Sequence, residues 1–122
     1  METGTDFYEN APQTPDFSIN DFVFVKSNGN LDKINMKGLL WIEALSDFVT
    51  INTFKKKYTI HSTLKTIESK LSPDKFIRVH HSYIISIENI TAIDGNFIIL
   101  DKQLIPVGAA YKDNLKNYIN FI

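Results

Sequence analysis

The sequence predicts a mainly β domain of antiparallel strands, and three observations carry that expectation. Apolar and β-branched residues come in short runs of strand length. Hairpin turn signals stand among them, Asn28-Gly29 and Asp94-Gly95-Asn96. The spacing between runs favours antiparallel neighbours over the long crossovers that parallel strands require.

Residues 1–20 hold Pro12 and Pro15 among Asn, Asp and Thr, without an apolar period, and read as a linker or flexible N-terminal arm. Residues 21–122 form the domain proper. FVFVK (22–26) is the first strand, and SNGN (27–30) turns it into LDKIN (31–35). GLLWIEAL (38–45) and FVTINTF (48–54) follow, separated by Ser46-Asp47. Lys55, Lys56 and Lys57 make a polar turn before YTIH (58–61). The period then changes. In STLKTIESKLSPD (62–74), Leu64, Ile67 and Leu71 recur at helical spacing. Ser62 or Thr63 can cap the start and Ser72-Pro73 ends it, which predicts a helix of about two to three turns. Strands resume at 76–79, 83–87, 89–93 and 97–100. After Pro106, Tyr111, Leu115 and Ile119 recur every four residues, predicting a short C-terminal helix whose apolar face closes the core.

The 122 residues suit one domain with a modest core. At 43% hydrophobic and 22% charged, the chain has the balance of a soluble globular domain. No apolar run approaches the roughly 20 residues of a membrane span. The absence of cysteine excludes disulfides, thiol catalysis and cysteine-ligated zinc. The N-terminus lacks the basic and apolar regions of a secretory signal, so a cytoplasmic location is expected. The net charge of −1 hides a division. The first 21 residues carry five acidic side chains and no basic ones, whereas all 13 basic residues fall later, leaving the body at about +4. Local patches govern partner binding more than the total does.

Residues 76–85, FIRVHHSYII, place Arg78, His80, His81 and Ser82 inside an apolar, strand-like run. A zinc site needs about three convergent ligands. Adjacent residues on a strand point to opposite faces, so His80 and His81 are expected to diverge, and His61 lies on another segment. No metal and no other cofactor is expected. Ser82 has no G-x-S-x-G elbow and no base aligned with it, and the five glycines form no phosphate-cradling loop, so no catalytic residues are expected either. Two readings stay open from the pattern: one histidine is a hydrogen-bonded, partly buried residue, or the donor-rich break meets phosphates and bases. Alternation assigns Val79, His81, Tyr83 and Ile85 to one face and Arg78, His80, Ser82 and Ile84 to the other.

The order of four segments adds to this. LLWIEALSDFVTI (39–51), YTIHSTLKTIESKL (58–71), FIRVHHSYIISIENITAI (76–93) and LIPVGAAYKDNL (104–115) together resemble the LytTR DNA-binding domain. That module is the output end of bacterial response regulators of the LytR/AlgR type. The resemblance covers residues 22 to about 118. Its most specific part is FIRVHHSYIIS, which matches a family pattern close to F-x-R-x-H-R-S-Y-I-V-N. The resemblance implies small stacked antiparallel sheets with little helix. It also implies sequence-specific binding of duplex DNA by loops between strands, in a transcriptional regulator or the output domain of a two-component system. Three loops match the family's contact elements: one around Ser46, Asp47 and Phe48; one around Arg78 to Ser82, with His80 and His81; and one around Val107 to Tyr111, with Gly108 and Ala109, and Lys112 beside it. In this scheme His81 points at the groove and His80 supports it. Copies paired on repeated half-sites, and a receiver domain or sensor kinase upstream, are further implications.

The sequence departs from the family pattern at two places. His81 stands where Arg or Asn is usual, and Gly108-Ala109 where Ser-Arg or Ser-Lys is usual. An arginine fork contacts guanine with a discrimination of about 1–3 kcal/mol, which Ala109 cannot supply. The alternative expectation is therefore a domain of this fold without base readout, acting in protein interaction or regulation.

Overall fold

The computed structural model describes residues 22–120 and Ile122, so the arm expected over 1–20 lies outside the described residues. Three antiparallel sheets make up the fold. The first pairs β1 (Phe22–Ser27) with β2 (Asn30–Asn35). Asn28 and Gly29 form the two-residue turn between them, both in the left-handed region with φ of 52° and 83°. Asn tolerates that region and glycine enters it freely, which is why this pair marks a tight hairpin.

The central sheet has five strands in the order β5-β4-β3-β7-β6. Its strands are β3 (Leu39–Leu45), β4 (Phe48–Thr53), β5 (Lys57–His61), β6 (Phe76–His80) and β7 (Tyr83–Ser86). Trp41, Ile42 and Glu43 of β3 pair with Ile85, Ile84 and Tyr83 of β7, joining two hairpins that are distant in sequence. Between them runs α1 (Leu64–Glu68), capped by the Thr63 hydroxyl, which accepts from the Thr66 backbone N–H at 3.1 Å. A third sheet follows from β8 (Ala92–Asp94), β9 (Phe97–Leu100) and β10 (Gln103–Pro106), ordered β10-β9-β8. A 3-10 turn over Ala109–Tyr111 leads into α2 (Lys112–Lys116).

Strand alternation sends neighbouring residues of the central sheet into two different cores. Ile42, Val49, Ile51 and Ile84 pack with Val25 and Ile34 of the first sheet and Leu64 of α1. Ile77, Val79 and Ile85 pack with Ile98, Leu100 and Ile105 of the third sheet and Leu115 of α2. Ile84 and Ile85 are adjacent, both buried, and belong to opposite cores. The central sheet is thus sandwiched, with its two hydrophobic faces each covered by a smaller sheet and one short helix.

Several expectations shift in detail. The internal helix is shorter than its apolar spacing implied, five residues long, because the chain turns after Ser69. Leu71 still reaches the core from beyond the helix end. The run expected as a strand over 89–93 is divided: Ile87–Asn89 is a 3-10 turn and the strand begins at Ala92. Strand β10 had no forecast. Its turn uses Asp101 and Lys102 at φ of 45° and 70°, a hairpin conformation without the glycine that would have marked it. Among the described residues no helix is long and apolar enough to cross a membrane.

Replacing Ile42 or Ile105 by alanine, one site in each core, should lower unfolding stability by about 2–5 kcal/mol, the range for truncating fully buried aliphatics. Urea midpoints measure this, and a loss under about 1 kcal/mol at either site would mean that its core is not closed.

Candidate nucleic-acid interface

One end of the central sheet collects three loops. The β3–β4 turn carries Ser46 and Asp47, both exposed, and Ser46 takes a left-handed φ of 56°. The β6–β7 turn consists of His81 and Ser82. Because β3 pairs with both β4 and β7, these turns lie side by side, and the Ala44 N–H donates to the Ser82 carbonyl at 2.9 Å. The third loop follows β10. The Gly108 N–H donates to the Val79 carbonyl at 2.8 Å, tying that loop to the end of β6. Phe48, 46% exposed, begins β4 beside the first turn and meets His61 edge-on, with ring centroids 5.3 Å apart.

FIRVHHSYII is therefore a hairpin and not one strand, which overturns the expected divergence of the two histidines. Its register slips between Arg78 and His80, and the chain reverses at His81 and Ser82. Alternation stops where a strand turns, so His80 and His81 stack with centroids 4.3 Å apart at 29°. His80 also meets Tyr83 edge-on at 5.6 Å. Among the described residues no group of three or more His, Asp or Glu side chains is placed to hold a metal ion.

The donors of Arg78 are directed at its own hairpin. Its Nε–H donates to the His80 carbonyl at 3.2 Å and an Nη2–H to the His81 carbonyl at 2.6 Å. Nη1 lies 3.5 Å from Oε1 of Glu68 on α1. A planar guanidinium suits this fork-like bracing of a turn. His80 adds a second brace, its Nδ1 accepting from the Ser82 N–H at 3.1 Å. His81 carries no such duty for its ring and stands exposed at the tip.

In the third loop Gly108 has a packing reason to be glycine. A Cβ there would meet the Tyr111 ring at 3.1 Å and approach the His80 Cα at 3.7 Å. The Tyr111 N–H donates to the Gly108 carbonyl at 2.9 Å, closing the turn. Ala109 and Lys112 are exposed, and Tyr111 is half-buried over the glycine. All eleven residues singled out from the sequence thus lie at or beside one end of the sheet. Sequence reasoning did not see a groove of about 470 Å³ beside them, lined by Ser46, Asp47, His61, Lys65, Arg78 and His81 among others. Its far wall, the β5–α1 corner, reaches the turns only through tertiary packing.

Burial holds the His80 imidazole below its usual pKa, assisted by the neighbouring His81 and Arg78 charges. Burial likewise raises the Tyr83 phenol, whose O–H donates to Glu43 Oε2 at 3.1 Å. Neutral His80 is what the Ser82 hydrogen bond needs, since a protonated Nδ1 cannot accept. An unfolded histidine titrates near 6.5, above folded His80, so between those values the unfolded chain binds the extra proton. The contribution of His80 is then complete above about pH 6.5 and declines as pH falls below it. His80→Gln, compared with the parent by thermal melting at pH 7.5 and 5.5, should lose less stability on acidification. Equal losses in both proteins would deny His80 that role. Arg78→Met should cost about 1–3 kcal/mol by leaving two turn carbonyls without their charged donor, and should broaden the His81 signals in NMR spectra.

Comparison with known proteins gives a consistent result. The model of the LytTr DNA-binding domain matches residues 29–120. Sensory transduction protein LytT of Bacillus subtilis is 32% identical over 93 residues, covering 71% of this chain and 39% of that protein. The CO-responsive transcriptional regulator RcoM of Rhodospirillum rubrum is 26% identical over 93 residues, covering 70% of this chain and 39% of that one. The chain therefore spans about two fifths of the length of these relatives. The solved LytTr DNA-binding domain of a putative methyl-accepting/DNA response regulator from Bacillus cereus superposes with a TM-score of 0.72. That match has 23% identity and covers 83% of this chain and 98% of the other, so it speaks to the fold. The family match takes in every element from β2 to α2, the three loops included, and the chain belongs to the LytTr DNA-binding domain family.

Proposed function

We propose that this end of the central sheet binds duplex DNA sequence-specifically through its three inter-strand loops, as the DNA-reading part of a transcription regulator. The observation that carries this is the row of exposed tips, Ser46-Asp47, His81 and Ala109, on loops tied to one sheet end by the Ala44–Ser82 and Gly108–Val79 hydrogen bonds. Such a row is a rigid edge with adaptable side chains, suited to groove readout without a recognition helix. His81 offers both ring nitrogens to base edges. Asp47 can accept from a cytosine amino group, and Ala109 can meet a thymine methyl. Ser46, Ser82 and Tyr111 supply neutral hydroxyls, and Phe48 an exposed ring. Lys112 contacts a phosphate, while Arg78, His80 and Gly108 hold the shape of the tips.

The role in a larger regulator rests on the relatives. Their names describe sensory transduction and a CO-responsive transcriptional regulator, and each is much longer than the matched part. An input module such as a receiver domain, with a sensor kinase upstream, is therefore proposed for the full protein. So are pairing on repeated half-sites, a cytoplasmic location and a role without catalysis. A second reading, a domain of this fold that has lost base readout, is favoured by one observation: the third loop presents Ala109 and no charged donor at its tip. It then serves protein interaction or regulation.

Selection of bound sequences from a random duplex pool at two salt concentrations separates the two. An enriched motif supports readout; unselective retention that vanishes with salt supports the second reading. On the selected site His81→Ala should weaken binding by about 1–3 kcal/mol and leave the salt slope nearly unchanged. Lys112→Ala should weaken selected and scrambled duplexes alike and reduce the slope by about one unit. Ala109→Arg should tighten binding and add a guanine preference. If His81→Ala binds like the parent and melts several degrees lower, the histidine belongs to the turn and not to the groove.

A further inference from the structure

The structure assigns one more contact, and it rests on the DNA-binding reading above: the β5–α1 corner, with Lys65 at its centre, grips the sugar-phosphate backbone beside the two turns. The starting point is the groove of about 470 Å³ between that corner and the two turns. Its walls come from three places: Ser46 and Asp47 of the first turn, Arg78 and His81 of the second, and His61, Ser62, Thr63, Lys65 and Thr66 of the corner. The tips that face bases thus continue sideways into a donor-rich cleft.

Charge distinguishes Lys65 within it. Lys65 and Glu68 lie three apart on α1, a spacing at which opposite charges meet. Glu68 instead turns to Arg78, 3.5 Å away, and Arg78 spends its remaining donors on the His80 and His81 carbonyls. Among the described residues Lys65 has no acidic partner, and it is exposed. Among the described residues the cleft therefore keeps Lys65 as an uncommitted cation, with the imidazole of His61 held at its edge by the Phe48 ring. Among the described lining residues Asp47 is the one carboxylate, and it lies on the turn side. A phosphodiester seated in the cleft is drawn to the corner and repelled from the turn, while the Asp47 carboxylate remains for a base amino group.

This arrangement divides the labour along the sheet end. Lys65 at the corner and Lys112 beside the third loop take phosphates, and the tips take base edges. Phosphate contacts fix register and base contacts specify, so flanking cations of this kind set which base pairs the tips can reach.

The test compares the parent with Lys65→Ala, Lys65→Glu and Lys65→Arg on the selected site and on a scrambled duplex, across a salt series. Lys65→Ala should weaken both duplexes by a similar factor and lower the salt slope by about one unit. Lys65→Glu should weaken both further, and Lys65→Arg should restore parental binding. Circular dichroism melts of the variants should match the parent, because the side chain is exposed. Parental slope and affinity in Lys65→Ala, with Lys112→Ala showing its loss, would overturn the clamp and leave the DNA reading intact. If the parent retains no duplex in a salt-dependent way, the reading itself fails and the clamp with it.

Discussion

The pairing of β3 with β7 is the constraint on which the rest depends. Trp41↔Ile85, Ile42↔Ile84 and Glu43↔Tyr83 join two hairpins separated by α1. Without that ladder the β3–β4 turn and the β6–β7 turn are unrelated loops. With it they become neighbours, and the Ala44 to Ser82 hydrogen bond extends the pairing up to the tips. The same ladder separates Ile84 from Ile85, so one pair of adjacent residues anchors both cores. Site geometry and core formation share a single register here, and a slip of one residue would exchange the two cores and displace the turns.

Much of the fold was legible in local sequence. Asn28-Gly29 and Gly95 mark turns because the backbone there needs positive φ. The near-continuous apolar runs in GLLWIEAL and FVTINTF follow from a sheet covered on both faces by different partners. The parts that escaped share a physical cause. The β9–β10 hairpin turns on Asp101 and Lys102, which enter the left-handed region only because the sheet compensates the strain, so no residue announced it. The α1 pattern extended beyond its helix, since Leu71 fills the core whether or not its backbone is helical. The histidine pair was misassigned because alternation was carried through a turn.

The three loops were legible through a family resemblance and not through chemistry alone. What the structure adds is a division among polar groups that look equivalent in sequence. Arg78 and His80 direct donors and acceptor inward to backbone atoms of the hairpin, whereas His81, the next residue, stacks on the His80 ring and stays exposed. Side chains of similar polarity thus divide into those that brace the turn and those left exposed, according to hydrogen-bond partners, a distinction that depends on three-dimensional placement. The β5–α1 corner is the extreme case: nothing in Ser62, Thr63 or Lys65 as a string relates them to His81.

The double-sided central sheet has a bearing on partial opening. The covering of the second core, β8 to α2, is one contiguous stretch of chain, held through Ile98, Leu100, Ile105 and Leu115. A contiguous layer of this kind can detach as a cooperative unit at less than the global unfolding free energy. Its departure would lift Gly108 from Val79 and carry away the third loop with Lys112, while the two turns and the β5–α1 corner stayed on the remaining sheet. Such an opening would separate the third loop from the two turns while the rest stayed folded, and amide exchange protection at Ile98 and Ile105 compared with Ile42 and Val49 would report its free energy.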